Sequence, residues 1–269
     1  MIKFLLILAV LFLAACSPNE QDYKTDVPET PTLQDRITAS QLNAELEKED
    51  SQVEEGGTSQ AEKQGRSKDE ATESTALEVE MPKEINLTVP FYSQAPEGDW
   101  AQPWQDACEE ASLVLAHYGL KGEALTKAEF KKQVLAMVDW ENTNFGYFES
   151  TPVEKVVQLY EGFFDDAFKV TVMEDPTVEE MKKELAQGHL IVGPFAGRML
   201  KNPFYSGEGP YYHMMVLKGY DEKHFITNDV GTRRGENFIY PYQTILDAMH
   251  DYKEPGIESQ PSRVIVLSN

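Results

Sequence analysis

The chain has 269 residues and a formal charge of −22, from 46 acidic against 24 basic side chains. So negative a field argues against nucleic acid as a partner and against a direct electrostatic hold on anionic lipid. With only two cysteines, Cys16 and Cys108, a disulfide framework is excluded.

Residues 1–16 carry one basic residue, Lys3, an apolar run from Phe4 to Leu13, and small Ala14 and Ala15 ahead of Cys16. That run is too short to cross a bilayer core, which takes roughly 20 helical residues. Leu13-Ala14-Ala15-Cys16 resembles a bacterial lipobox. Residues 1–15 are therefore expected to be a lipoprotein signal peptide, with Cys16 lipidated and the protein held on the extracytoplasmic face of the cell membrane. From Ser17 to Ile85 eighteen acidic residues face seven basic ones, and Tyr23 is the one aromatic residue. Such a composition cannot bury enough apolar surface to offset chain entropy, so residues 16–85 read as the lipidated cysteine and a disordered acidic tether. Residues 86–269 are long enough for one domain and are themselves acidic, with 28 acidic and 16 basic residues.

Within that domain the first element is a strand, Leu87 to Tyr92. A helix then begins near Asp106, whose carboxylate can cap it, and runs through Ala111, Val114, Leu115 and Tyr118 to a stop at Gly119, with Cys108 in its first turn. Three more helix starts match the capping box: Thr126 with Glu129, Thr151-Pro152 with Glu154, and Thr177 with Glu180. Apolar residues at helical spacing follow each, namely Phe130, Val134, Met137 and Val138, then Val153, Val156, Val157 and Tyr160, then Met181 and Leu185 up to Gly188. Strands are expected at Phe168 to Met173, Leu190 to Phe195, His213 to Tyr220, Phe225 to Asp229, Asn237 to Tyr240 and Arg263 to Leu267. The tight link Asp221 to His224 makes the third and fourth of these hairpin partners. A helical first half followed by a mostly antiparallel sheet is an α+β arrangement of two packed layers.

A lone thiol at a helix start, where unpaired N–H groups favour the thiolate, is a candidate nucleophile. Glu109 and Glu110 oppose that effect, so Cys108 needs a base. His117 lies nine residues further along the same helix, roughly 13 Å away by helical rise. His189 follows a helix stop, His224 sits in a turn and His250 in an expected late helix. His213, at the mouth of the apolar strand Met214 to Leu217, can be held rigidly beside a thiol from another layer. A third group should orient the imidazole, and strand alternation sends Asn228 and Asp229 to opposite faces, so one of the two serves. Gln102 or Gln105 can bring a side-chain amide to a developing oxyanion, with the backbone N–H of Cys108 as second donor. Trp100, Trp104, Tyr211 and Tyr212 flank these elements and can line a cleft for an extended chain. No Cys-x-x-Cys or His-x-x-x-His spacing supports a metal site, and no cofactor is expected.

The ordered set Val89-Pro-Phe-Tyr-Ser-Gln94, Gln102, Cys108-Glu-Glu-Ala-Ser through His117-Tyr-Gly119, His213 with Val216 to Asp221, and Asn228-Asp229 resembles the C39-like cysteine peptidases of the papain-like superfamily. The resemblance covers about residues 86–268. It implies a papain-like fold, with a helical N-terminal half carrying the cysteine packed on a sheet carrying histidine and aspartate. It also implies Cys108 as nucleophile, His213 as general base, Asp229 as orienting residue and Gln102 as oxyanion donor. Many relatives have Cys-Gly-Pro where this chain has Cys108-Glu109-Glu110, which bears on substrate preference more than on fold.

The expectation is a membrane-anchored thiol hydrolase of peptide or amide bonds acting on a peptide or protein substrate. Two other classes fit the same residues: an inactive binding module of that fold at the cell envelope, and a transglutaminase-like acyl transferase.

Overall fold

The computed structural model describes residues 81–165 and 167–269. Cys16, the expected signal peptide and nearly all of the expected tether fall outside them. No helix among the described residues is long and apolar enough to cross a membrane.

The described chain runs β1 (Ile85–Asn86), α1 (Cys108–Lys121), α2 (Lys127–Asn144), α3 (Val153–Phe164), β2 (Lys169–Glu174), α4 (Val178–Ala186), β3 (Leu190–Ala196), β4 (Tyr212–Tyr220), β5 (His224–Asn228), β6 (Phe238–Pro241), α5 (Tyr242–Ala248) and β7 (Arg263–Ser268). Single turns of 3-10 helix follow β3 and precede β7. The sheet is antiparallel in the order β2-β7-β3-β4-β5-β6. Helices packed against this sheet give the α+β arrangement, with the core between them.

The expected strand Leu87 to Tyr92 does not form; the first strand is instead the two residues just before it, Ile85–Asn86. Pro90 has no N–H to give a ladder, and Val89 to Gln94 instead lies across the end of β5. Asn228 Nδ2 donates to Pro90 O at 3.1 Å, and Gln94 N donates to Val230 O at 2.9 Å. β1 takes over the flank of β4 beyond the point where its pairing with the start of β3 stops, pairing Ile85 with Tyr220. A Cβ on Gly219 would stand 2.1 Å from Ile85 O, so only glycine admits that approach. The β4–β5 ladder shifts register between Leu217 and Gly219. The bulge leaves Lys218 buried, its ammonium donating to Asn86 Oδ1 and to Asn237 Oδ1.

Local signals locate the helices, but two helix starts and one end differ. The residue capping α1 is Ala107, without a side-chain cap; Asp106 is occupied by the Gln102 amide. α1 runs past Gly119 to Gly122 at φ 65. Gly119 stays inside the helix because Val89 and Leu190 press on it, 2.9 and 3.0 Å from where a Cβ would be. At α3 the expected Thr151 cap fails, since Thr151 N donates to Glu109 and Val153 N to Asp251 Oδ1 at 3.0 Å. Glu154 turns outward to Arg263. Thr126 caps α2 by accepting from Glu129 N, and α4 shows both halves of the Thr177–Glu180 box.

α1 is buried on almost every side and docks along β4. Pairing with β5 begins only at Val216, so the outer edge of Met214 is open to the helix. Ser112 Oγ donates to Met214 O at 3.1 Å, which fixes the N-terminal half of α1 against the start of β4.

Candidate active site

His213 is the second residue of β4, opposite Phe195 of β3. Its Nε2 lies 2.8 Å from Asp229 Oδ1, and the two side chains are 2% and 0% exposed. Asp229 follows directly on β5. Its Oδ1 also accepts from Gly231 N at 3.0 Å, and its Oδ2 accepts from Asn202 Nδ2, Tyr205 Oη and Tyr240 Oη at 2.9, 2.8 and 2.6 Å. Burial alone would raise this carboxyl; the His213 charge and hydrogen bond, with the tyrosine hydroxyls, outweigh it and hold it at about 2. Loss of solvent, and then the same carboxylate, push both phenols well up, so they remain donors.

Of the two candidates for orienting the imidazole, Asp229 makes the contact. Asn228, on the other face, is consumed by the backbone: it donates toward Val89 and Pro90 and accepts from Asn237 N.

The imidazole ring is confined. Tyr205 meets it edge-on at 5.6 Å between centroids. A Cβ on Gly231 would lie 2.9 Å from His213 Cε1, and one on Gly197 would lie 2.6 Å from Pro210 O and 3.2 Å from His213 Cβ. These glycines let two loops close over the histidine.

Cys108 is the first residue of α1, a free and buried cysteine. Its thiol donates to Glu109 Oε2 at 3.0 Å. Burial, then the charge and hydrogen bond of Glu109, raise the thiol well above its ordinary range, while the backbone N–H of Met214 pulls the other way.

Cys108 and His213 line one cavity of about 940 Å³. Gln94, Trp100, Gln105, Phe204, Tyr211 and Tyr212 share its wall. Trp100 and Phe204 are large apolar side chains left 40% and 37% exposed there. Trp104 is not part of that lining; it packs on the core, and its carbonyl accepts from Gln94 Nε2 at 3.0 Å. Gln102 is also displaced from its expected place. It is exposed, bonded to Asp106, and absent from the cavity wall, because the segment before α1 folds its side chain outward onto the acid four residues ahead. Gln105 does line the cavity.

The other histidines have their own partners. His117 stacks on Phe164 at 3.9 Å and meets Tyr160 Oη at 3.0 Å; burial lowers it to about 4. His189 pairs with Glu184, His224 with Asp221, and His250, which lies just beyond α5, with Gln260 O.

Sequence reasoning missed Asn202, Tyr205 and Tyr240, whose loop and strand positions carry no local signal of an anion, and gave Glu109 only a general electrostatic part. Glu110 and Glu141 are buried beside one another, carboxyl against carboxyl, near Thr151. Burial, then the repulsion of Glu141, raises Glu110; burial raises Glu141 to about 8. Among the described residues no group of three or more His, Cys, Asp or Glu could hold a metal ion.

Residues 86–254 match the Peptidase_C39 like family. Comparison with curated proteins gives no match. Among solved structures, the chain is similar to a crystal structure from Bacillus anthracis assigned as a C39-like peptidase, at 16% identity and a TM-score of 0.46, over 70% of this chain and 98% of that one. The family match takes in most of the chain and both walls of the cavity where Cys108 and His213 stand, and the chain belongs to the Peptidase_C39 like family.

Proposed function

We propose that this protein is a thiol hydrolase of peptide or amide bonds, with Cys108 as nucleophile, His213 as general base and Asp229 as the residue that orients it. The observation that carries this reading is the buried 2.8 Å His213–Asp229 pair opening onto the same cavity as the one described cysteine. Asp229 occupies Nε2 and leaves Nδ1 as the nitrogen available to the thiol. A permanent anion on Nε2 fixes the tautomer and stabilises the imidazolium that forms.

In the reaction His213 Nδ1 takes the thiol proton as Cys108 Sγ bonds to the substrate carbonyl carbon. The tetrahedral oxyanion accepts from the backbone N–H of Cys108 and from the Gln105 amide, which replaces Gln102 in that role. Collapse breaks the C–N bond, and His213 returns its proton to the leaving amine. Water, deprotonated by the same imidazole, then attacks the thioester, releasing the acid and restoring the thiol.

The exposed Trp100 and Phe204 at the cavity supply apolar contact for an extended peptide. The lipobox-like sequence ending at Cys16 supports a lipid anchor, with the acidic segment as the tether that holds the domain off the membrane.

An electrophilic peptide probe should label the native protein at Cys108 and leave Cys108→Ala unlabelled, with both proteins giving the same circular dichroism. Undiminished labelling of the variant rejects the assignment.

A further inference from the structure

Glu109 is fully buried beside the nucleophile. Its Oε1 accepts from Thr151 N at 2.8 Å and Thr151 Oγ1 at 3.4 Å, so the carboxylate is locked to the segment that leads into α3. Its Oε2 is left for the thiol, 3.0 Å from Sγ. A thiol that donates to a carboxylate must keep its proton, and its sulfur cannot at the same time present that proton to His213 Nδ1.

We propose that Glu109 is a positioning residue that latches the Cys108 thiol in a neutral resting state, released when the side chain turns from Glu109 into the cavity as substrate enters. The proposal rests on Cys108 being the nucleophile.

The surroundings are arranged for this. Glu109 faces Glu110 on its own helix, Glu141 of α2, Tyr212 and His213 of β4, and Tyr252 after α5; Glu149, ahead of α3, adds to the charge at Glu141. Among these, His213 is the basic group. Burial leaves Glu109 raised above the ordinary carboxyl value, although the Cys108 and Thr151 hydrogen bonds and the nearby His213 offset part of that rise. Close to sulfur, the carboxylate penalises the thiolate, so a standing thiolate is suppressed at rest.

Glu109→Gln is the informative change, because it keeps the shape and can keep Oε1 on Thr151 N. The amide Nε2 then stands where Oε2 stood and donates to sulfur, which inverts the contact. Site-resolved alkylation of Cys108 by iodoacetamide, read by peptide mass spectrometry on the full chain against pH, needs no substrate turnover. Wild type should react slowly at neutral pH with a midpoint above the ordinary thiol range. The variant should react about tenfold faster at pH 7 with its midpoint moved down by about one unit. An unchanged or slower profile in a variant with native circular dichroism overturns the latch. If the variant does not fold, the wild-type titration decides, since a midpoint at or below the ordinary thiol value of about 8.5 overturns it too. A fast, low-midpoint thiol leaves the hydrolase reading standing, and loss of probe specificity for Cys108 removes that reading without touching the alkylation result.

Discussion

Asp229 and His213 lie sixteen residues apart in sequence and 2.8 Å apart in space, both sealed from solvent, because β4 and β5 form a hairpin that brings the end of one strand beside the start of the other. The carboxylate receives five hydrogen bonds, so its charge is distributed before any substrate binds.

Removing that charge should cost both catalysis and stability. Asp229→Ala leaves the Asn202, Tyr205 and Tyr240 donors buried without their acceptor and should lower unfolding free energy by about 3–5 kcal/mol in urea titration. Asp229→Asn keeps the volume and should fold, yet lower kcat by up to about 10⁴ through the wrong imidazole tautomer.

Two carboxyl sites give opposite pH signatures. Asp229 is held at about 2, below its ordinary 3.8, so the unfolded chain binds more protons in that interval; stability present above pH 3.8 is lost as pH falls through about 2. Glu141 is raised from 4.5 to about 8, so the folded chain binds more protons there, and stability falls as pH rises from 4.5 toward 8. Glu141→Gln should flatten that decline. Thermal melts at pH 8 should show a Tm gain of about 2–4 °C, equivalent to roughly 1 kcal/mol, with little change at pH 5.

The two glutamines separate in kinetics. Gln105→Ala should reduce kcat by about 10² with a small effect on KM, as expected for a donor used in the transition state. Gln102→Ala, which removes an exposed contact to Asp106, should leave kcat within about threefold.

Gly231→Ala tests how tightly the imidazole is confined. The added methyl meets His213 Cε1 at 2.9 Å and Tyr205 Cε1 at 3.0 Å. A ring displaced by this contact should lose about 10² in kcat/KM, while chemical denaturation shows a native-like cooperative transition.

Much of this site was legible in the chain. Cys108 at a helix start and His213 at a strand mouth follow from periodicity and the Asp221 to His224 turn, and both fall at the beginnings of α1 and β4 within a residue. The choice between Asn228 and Asp229 was not legible, because alternation says only that they diverge. Which face receives the imidazole depends on where β4 lies, and Asn228 is claimed by Val89 and Pro90, 139 and 138 residues away.

The sequence by itself determined the element types, the α+β order and the residue types able to do thiol chemistry, because helical and strand periods, caps and turns act over a few neighbouring residues. The tertiary structure alone decided the partners. Thr151 gives its N–H to Glu109, 42 residues distant, instead of capping its own helix, and Val153 takes Asp251 from 98 residues away. Gln102 is drawn outward to Asp106, and Glu109 is carried onto the thiol. Buried polar groups must find partners wherever chain closure brings them, and a closure of that length leaves no mark in local pattern.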